Sequence, residues 1–180
     1  MNYVSGKACD HYNRYEQDFD LLTQLNMNSF RFSIEWSRIE PEEGQWNQVE
    51  IEHYRRYLLA LRKRQIEPLV TLFHWSMPIW FAERGGFEKQ RNIQYFERFA
   101  RRIIDELGDN FKFICTINEP EAYTAAGWMH DGEWPPAKKG QYLLGYWVYR
   151  NLAIAHNRVA GYAHKKSRRY KLFVSKNCPH

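Results

Sequence analysis

Four times along the chain an apolar stripe at helical spacing gives way to a short apolar run. Tyr12, Tyr15, Phe19, Leu22 and Leu25 recur every three or four residues, the period of one helix face. Asp10 stands where a cap belongs, and Asn26 and Asn28 are suitable stops. The segment Phe30-Arg31-Phe32-Ser33-Ile34-Glu35-Trp36 then alternates strictly, which predicts a strand over 30–36. Ile51, Tyr54, Leu58 and Leu61 form the second stripe, opened by Asn47 and Glu50 in the pattern of a capping box. Pro68-Leu69-Val70-Thr71-Leu72-Phe73 is nearly continuous in apolar character, as in a strand covered on both faces of a parallel sheet. Asn92 is placed to cap a third helix carrying Ile93, Phe96, Ala100, Ile103 and Leu107, and Gly108 to close it. Phe113 to Ile117 is the third strand. A long loop with Gly127, Gly132 and Pro135-Pro136 leads to Leu144, Val148, Leu152, Ala155, Val159 and Tyr162, and Lys171 to Lys176 predicts a last strand ending at Asn177.

Helix and strand therefore alternate, which means right-handed crossovers and a parallel sheet with helices outside. No Gly-x-Gly-x-x-Gly or Walker-type loop follows any strand, so a nucleotide-binding sheet loses ground to a barrel. Polar and aromatic residues collect at the carboxyl ends of the strands: Trp36 and Arg38, His74 and Trp75, Asn118 and Glu119, and Asn177. In barrels that rim is where chemistry is placed. Four strands cannot close a barrel, since closure takes about eight strands and ~250 residues. The expected fold is α/β, a partial (β/α)8 barrel, with residues 1–180 as one partial domain.

Aromatic residues reach 17%, with seven Trp, which suits a packed core and equally suits stacking surfaces for sugars or bases. The formal net charge of +5 raises the question of nucleic acid, but the basic residues are scattered. Lys165-Lys166-Ser167-Arg168-Arg169 is the exception, and it ends a helical pattern, where cations favour the macrodipole. With no groove-reading motif, no nucleic-acid partner is expected. Cys9, Cys115 and Cys178 are far apart and form no Cys-x-x-Cys pair, so neither zinc nor a disulfide framework is indicated, and Cys115 reads as a core residue. No metal or organic cofactor is suggested. No run is long enough to span a bilayer and the first residues carry no apolar leader, so the default location is the cytoplasm.

The chemistry centres on Thr116-Ile117-Asn118-Glu119-Pro120, where a strand delivers an amide and a carboxyl side by side. Proline disfavours helical torsions in the residue before it, so Glu119 is expected to be extended. A carboxyl at a rigid strand end is placed to exchange a proton with a ligand, although a strand ending in a solvated Glu119 fits the same residues.

With these strand ends in view, the chain resembles glycoside hydrolase family 1, the retaining β-glucosidase family. The resemblance is carried by Ala8-Cys9-Asp10-His11-Tyr12, Phe30 through Ile39, and Val70-Thr71-Leu72-Phe73-His74-Trp75 with Pro78 and Trp80. Thr116 through Pro120, Trp134-Pro135-Pro136 and Asn151-Leu152-Ala153-Ile154-Ala155-His156 follow in the family's order. It implies strands two to five of the barrel. It also implies that Glu119 is the general acid/base, that Asn118 bonds the sugar 2-hydroxyl, and that His74 binds another sugar hydroxyl with Trp75 beside it. Arg31 would lie near the nucleophile carboxylate and keep it ionised. Plainer readings stand beside these: His74 satisfied in a turn, Trp75 and Trp36 in the core, and Arg31 paired with Glu35 or another carboxylate. Glu35 and Arg38 read as structural.

The chain departs from the family in two places. Ser76-Met77 stands where the family usually has Asp-Leu, which puts the local turn in question. The family's first strand, and the segment supplying the nucleophile, find no counterpart. Glu121, Asp131 and Glu133 share Glu119's loop and do not readily reach the opposite face of a sugar. The expectation is a β-glycoside hydrolase of which this chain supplies the acid/base half, pairing with a C-terminal half or associating with itself through open edges. The alternative is a carbohydrate-binding or self-associating half-barrel without chemistry. The identity of the sugar does not follow from these residues.

Overall fold

The computed structural model describes residues 6, 8–130 and 134–176; Asp131, Gly132, Glu133, Asn177 and Cys178 lie outside the described residues. The chain runs α1 (His11–Gln24), β1 (Ser29–Ser33), α2 (Trp36–Ile39), α3 (Gln48–Lys63), β2 (Glu67–Phe73), α4 (Ile79–Glu83) and α5 (Ile93–Leu107). It continues with β3 (Phe113–Asn118), α6 (Pro120–Thr124), a π-helical turn (Ala125–Met129), α7 (Tyr142–Lys166) and β4 (Lys171–Ser175). The sheet is parallel throughout in the order β1-β2-β3-β4, as alternating helices and strands require.

Register decides which side chains share a face. Ser33 lies beside Thr71, Thr71 beside Cys115, and Cys115 beside Phe173. Two residues back on the same face, Arg31 lies beside Leu69 and Leu69 beside Phe113. The opposite face carries Val70, Leu72 and Ile114 into one core with Leu58 of α3, Ile103 of α5 and Leu152 and Val159 of α7. A smaller cluster of Phe19, Tyr57, Ala60, Leu61 and Ile66 joins α1 to α3. The α5 stripe is buried at Ile93, Phe96, Ala100, Ile103 and Leu107, as its spacing requires, and fully burying one such side chain contributes about 1.5–3 kcal/mol. Cys115 is fully buried, as expected of a core thiol. Leu25, by contrast, is exposed at the end of α1.

Several local expectations are corrected. The strand expected over 30–36 stops at Ser33, because the Glu35 carboxylate accepts from the Ser37 N–H at 3.2 Å and caps a short helix starting at Trp36. Asp10 occupies the cap position of α1 in a left-handed conformation (φ 53) and its carboxylate accepts from the Asn13 amide at 2.8 Å, so it caps nothing through its side chain. Asn47 does cap α3, accepting from Val49 N–H at 3.1 Å and Glu50 N–H at 3.3 Å. Glu50 does not complete the box, since Tyr12 Oη donates to it at 2.7 Å. Asn92 precedes α5 but is buried, and its amide donates to the carbonyls of Arg84 and Gly86 at 3.1 and 2.9 Å. Gly108 follows α5 without a left-handed turn (φ −59); a Cβ there would lie 2.3 Å from Tyr170 Oη, so close approach is what requires glycine. Gly127, expected in a loop, lies within the π-helical turn.

Two imidazoles withdrawn from solvent, His53 buried and His156 half-buried, make stability depend on pH. His53 stacks on Tyr12 with ring centroids 4.0 Å apart, and His156 Nδ1 lies 2.7 Å from Thr116 Oγ1. Burial pushes both below the usual histidine range. Just below that range the unfolded chain binds protons that the folded chain refuses, so stability is complete above about pH 6.5 and falls as pH drops through the window beneath it. The urea midpoint is expected to be lower at about pH 5.5 than at about pH 7.5, and less so in His156→Gln. A midpoint independent of pH over that interval contradicts the assignment.

Candidate active site

β1, β2, β3 and β4 deliver their carboxyl ends to one rim. Arg31 reaches inward from β1 and donates to Thr71 Oγ1 at 3.0 Å, to Ser175 Oγ at 3.4 Å and, closely, to Asn118 Oδ1. It therefore pairs with the amide and not with Glu35, whose carboxylate is engaged by Ser37 and by Ser76 Oγ at 2.7 Å. That contact answers the question raised by Ser76: its hydroxyl ties the turn after β2 to the turn after β1.

His74 lies just beyond β2, with Nδ1 3.1 Å from Ser33 Oγ. Burial pushes its imidazole below the usual histidine range and the Arg31 guanidinium adds to this, while the charge of Glu119 pulls the other way. A neutral ring at neutral pH both donates and accepts, which suits a hydroxyl ligand. Trp75 adopts a left-handed backbone (φ 76), and its indole N–H donates to the Asn118 carbonyl at 2.9 Å. That donor is committed to bracing the strand end, so what remains for a ligand is the ring. Trp36, by contrast, is 1% exposed and belongs to the core.

Asn118 is buried at the end of β3 and Glu119 is half-buried beside it. The extended conformation expected for Glu119 is not found; the residue is left-handed (φ 42, ψ 62) and stands at the cap position of α6. Its N–H donates to the Ser175 carbonyl at 3.1 Å and lies 3.2 Å from Ser175 Oγ, while its carbonyl accepts from Tyr123 N–H at 3.0 Å. The chain thus leaves the sheet and enters a helix within one residue. Strained torsions of this kind before proline cost of order 1–3 kcal/mol and persist where surrounding bonds over-determine them.

Sequence reasoning missed Ser33, Thr71 and Ser175. The two-residue period puts Ser33 on the same face as Arg31, which was a usable signal. Ser175 had none, because its neighbour depends on register. No group of three or more His, Cys, Asp or Glu that could hold a metal ion occurs among the described residues.

A carboxyl, an amide, an imidazole and a guanidinium thus stand together on the carboxyl rim of a parallel sheet. The chain belongs to glycosyl hydrolase family 1, whose profile matches residues 2–177. It is 33% identical over 150 residues to the 1,4-beta-D-glucan glucohydrolase of Thermotoga neapolitana, covering 83% of this chain and 35% of that relative. Among solved structures, a beta-glycosidase from Pyrococcus horikoshii superposes with a TM-score of 0.91 at 37% identity, over 98% of this chain and 40% of the other. A beta-glucosidase from Thermotoga maritima in complex with deoxynojirimycin matches with a TM-score of 0.87 at 30% identity, over 92% of this chain and 38% of the other. The chain thus spans well under half the length of these relatives, and its fold is part of a TIM barrel.

Proposed function

We propose that this chain carries the acid/base half of a retaining β-glycosidase site, with residues 1–180 forming one partial barrel domain. Glu119 protonates the leaving glycosidic oxygen and later activates water. Asn118 bonds the sugar 2-hydroxyl, His74 and Trp75 bind the same sugar unit, and Arg31 supports the nucleophile. What supports the reading is the convergence of Glu119, Asn118, His74 and Arg31 on one rim in a chain of this family. The substrate is a β-glycoside or oligosaccharide.

Retaining hydrolysis needs a second carboxyl about 5–5.5 Å from the first, across the scissile bond. Glu35 is held by Ser37 and Ser76, and Glu121 follows directly on the same turn as Glu119. The nucleophile comes instead from strands outside these 180 residues, which pair with the outer edges of β1 and β4. Left alone, those edges favour self-association. No helix among the described residues is long and apolar enough to cross a membrane. The exposed free thiol of Cys9 suits a reducing compartment, and we place the protein in the cytoplasm.

The purified 180-residue protein is expected to leave an aryl β-glucoside unhydrolysed. Turnover near that of a full-length relative, abolished by Glu119→Gln, would overturn the claim that the nucleophile lies elsewhere. Calorimetric titration with glucose or cellobiose separates a sugar-binding rim from an inert one.

A further inference from the structure

The ladder between β3 and β4 is irregular at one point. Cys115 lies opposite Phe173, yet Ile117 lies opposite Val174 and Asn118 opposite Ser175. An unbroken ladder would set Asn118 against Lys176, so one extra residue on β3 moves Ser175 into place. Bulges of this kind re-aim side chains next to functional sites. Here the bulge brings a hydroxyl to Asn118 and Glu119, two of the residues that the proposed function relies on.

Hydrogen-bond directions at that hydroxyl follow from what each partner is able to do. A guanidinium only donates, so the amide atom facing Arg31 is Asn118 Oδ1 and not Nδ2. That oxygen only accepts, so the Ser175 hydroxyl 2.9 Å away donates to it. The lone pairs of Ser175 Oγ are then left for the Glu119 N–H at 3.2 Å and for Arg31 at 3.4 Å. Both acceptor sites of Asn118 Oδ1 are filled, and Nδ2 has no partner among the described residues. The amide is locked, with its donor side free among the described residues.

We infer that Ser175 is a positioning residue: it presents Asn118 Nδ2 to the sugar 2-hydroxyl and holds Glu119 in its left-handed conformation. The inference rests on the sugar-site reading above and adds to it a residue on β4, 57 positions away from Asn118. Thermal stability alone would not separate this role from a packing role, so the test reads the two neighbours directly.

In the full 180-residue chain, labelled with nitrogen-15, Ser175→Ala is expected to speed exchange of the Glu119 amide about fivefold, the worth of one ordinary hydrogen bond. The Asn118 side-chain amide resonance should shift at the same time. Glucose should bind more tightly than 2-deoxyglucose to the wild-type chain, and Ser175→Ala should bring that ratio towards one. Ser175→Thr, which keeps the hydroxyl, should restore both. If the alanine variant fails to fold, Ser175→Thr and Ser175→Val carry the test, since they differ only in a hydroxyl against a methyl. Unchanged Glu119 exchange and an unchanged Asn118 resonance in a folded variant lacking the hydroxyl would overturn the role of Ser175. Equal affinity of the wild-type chain for the two sugars would instead sink the sugar-site reading, with the exchange rates still deciding Ser175.

Discussion

Glu119→Gln is expected to lower hydrolysis of an alkyl β-glucoside by about 10²–10⁴-fold, the usual contribution of a positioned proton donor. The measurement requires a complete barrel, made by pairing this chain with the complementary segment of the Pyrococcus horikoshii relative. Glutamine has the shape of glutamate, and the left-handed backbone at 119 is held by bonds from Ser175 and Tyr123 that the substitution leaves intact. Folding is therefore expected to be unaffected and the loss to be chemical. A dinitrophenyl glucoside, whose leaving group departs without a proton, should lose far less in the first step. Equal losses for both leaving groups would rule out general-acid catalysis by Glu119 and leave it a binding role.

The largest effect on stability is expected at Trp36. Its ring is stacked on Phe99 with centroids 5.1 Å apart and 17° between planes, and lies 4.7 Å from Phe81. Its indole N–H donates at 2.9 Å to Glu40, a fully buried carboxylate that also accepts from Gly44 N–H at 2.8 Å and from Arg98. Trp36→Ala empties a large volume, which costs about 3–5 kcal/mol. It also removes one of the donors that let a charge lie inside the core. Trp36→Phe keeps a ring but withdraws the N–H, and should cost about 1–3 kcal/mol for the weakened carboxylate. Equilibrium urea unfolding measures both. A cost below about 1 kcal/mol for Trp36→Ala would mean that the core around Glu40 collapses and refills the space.

Trp36 also illustrates where reading residues in order stops. Strict alternation from Phe30 onward carried the strand prediction three residues too far, because Glu35 and Ser37 have a local alternative: a side-chain cap that turns the chain into α2. Asp10 and Asn92 failed the other way. Each is the right residue at a helix start, but Asn13 claims one side chain and the carbonyls of Arg84 and Gly86 claim the other. Glu119 was expected to be extended from its proline alone; Ser175 on the neighbouring strand and Tyr123 on the helix ahead select the left-handed well instead.

The four long helices, the four strands, their parallel arrangement and the rim positions of His74, Asn118 and Glu119 were all open to inspection in one dimension. Apolar periodicity records which face of each element meets the core, and that is a property of neighbours along the chain. The bulge, the companion of Asn118, the partner of Arg31 and the torsions of Glu119 were settled by folding. Each is a competition among hydrogen-bonding groups tens of residues apart, and its outcome turns on a register that no local pattern encodes.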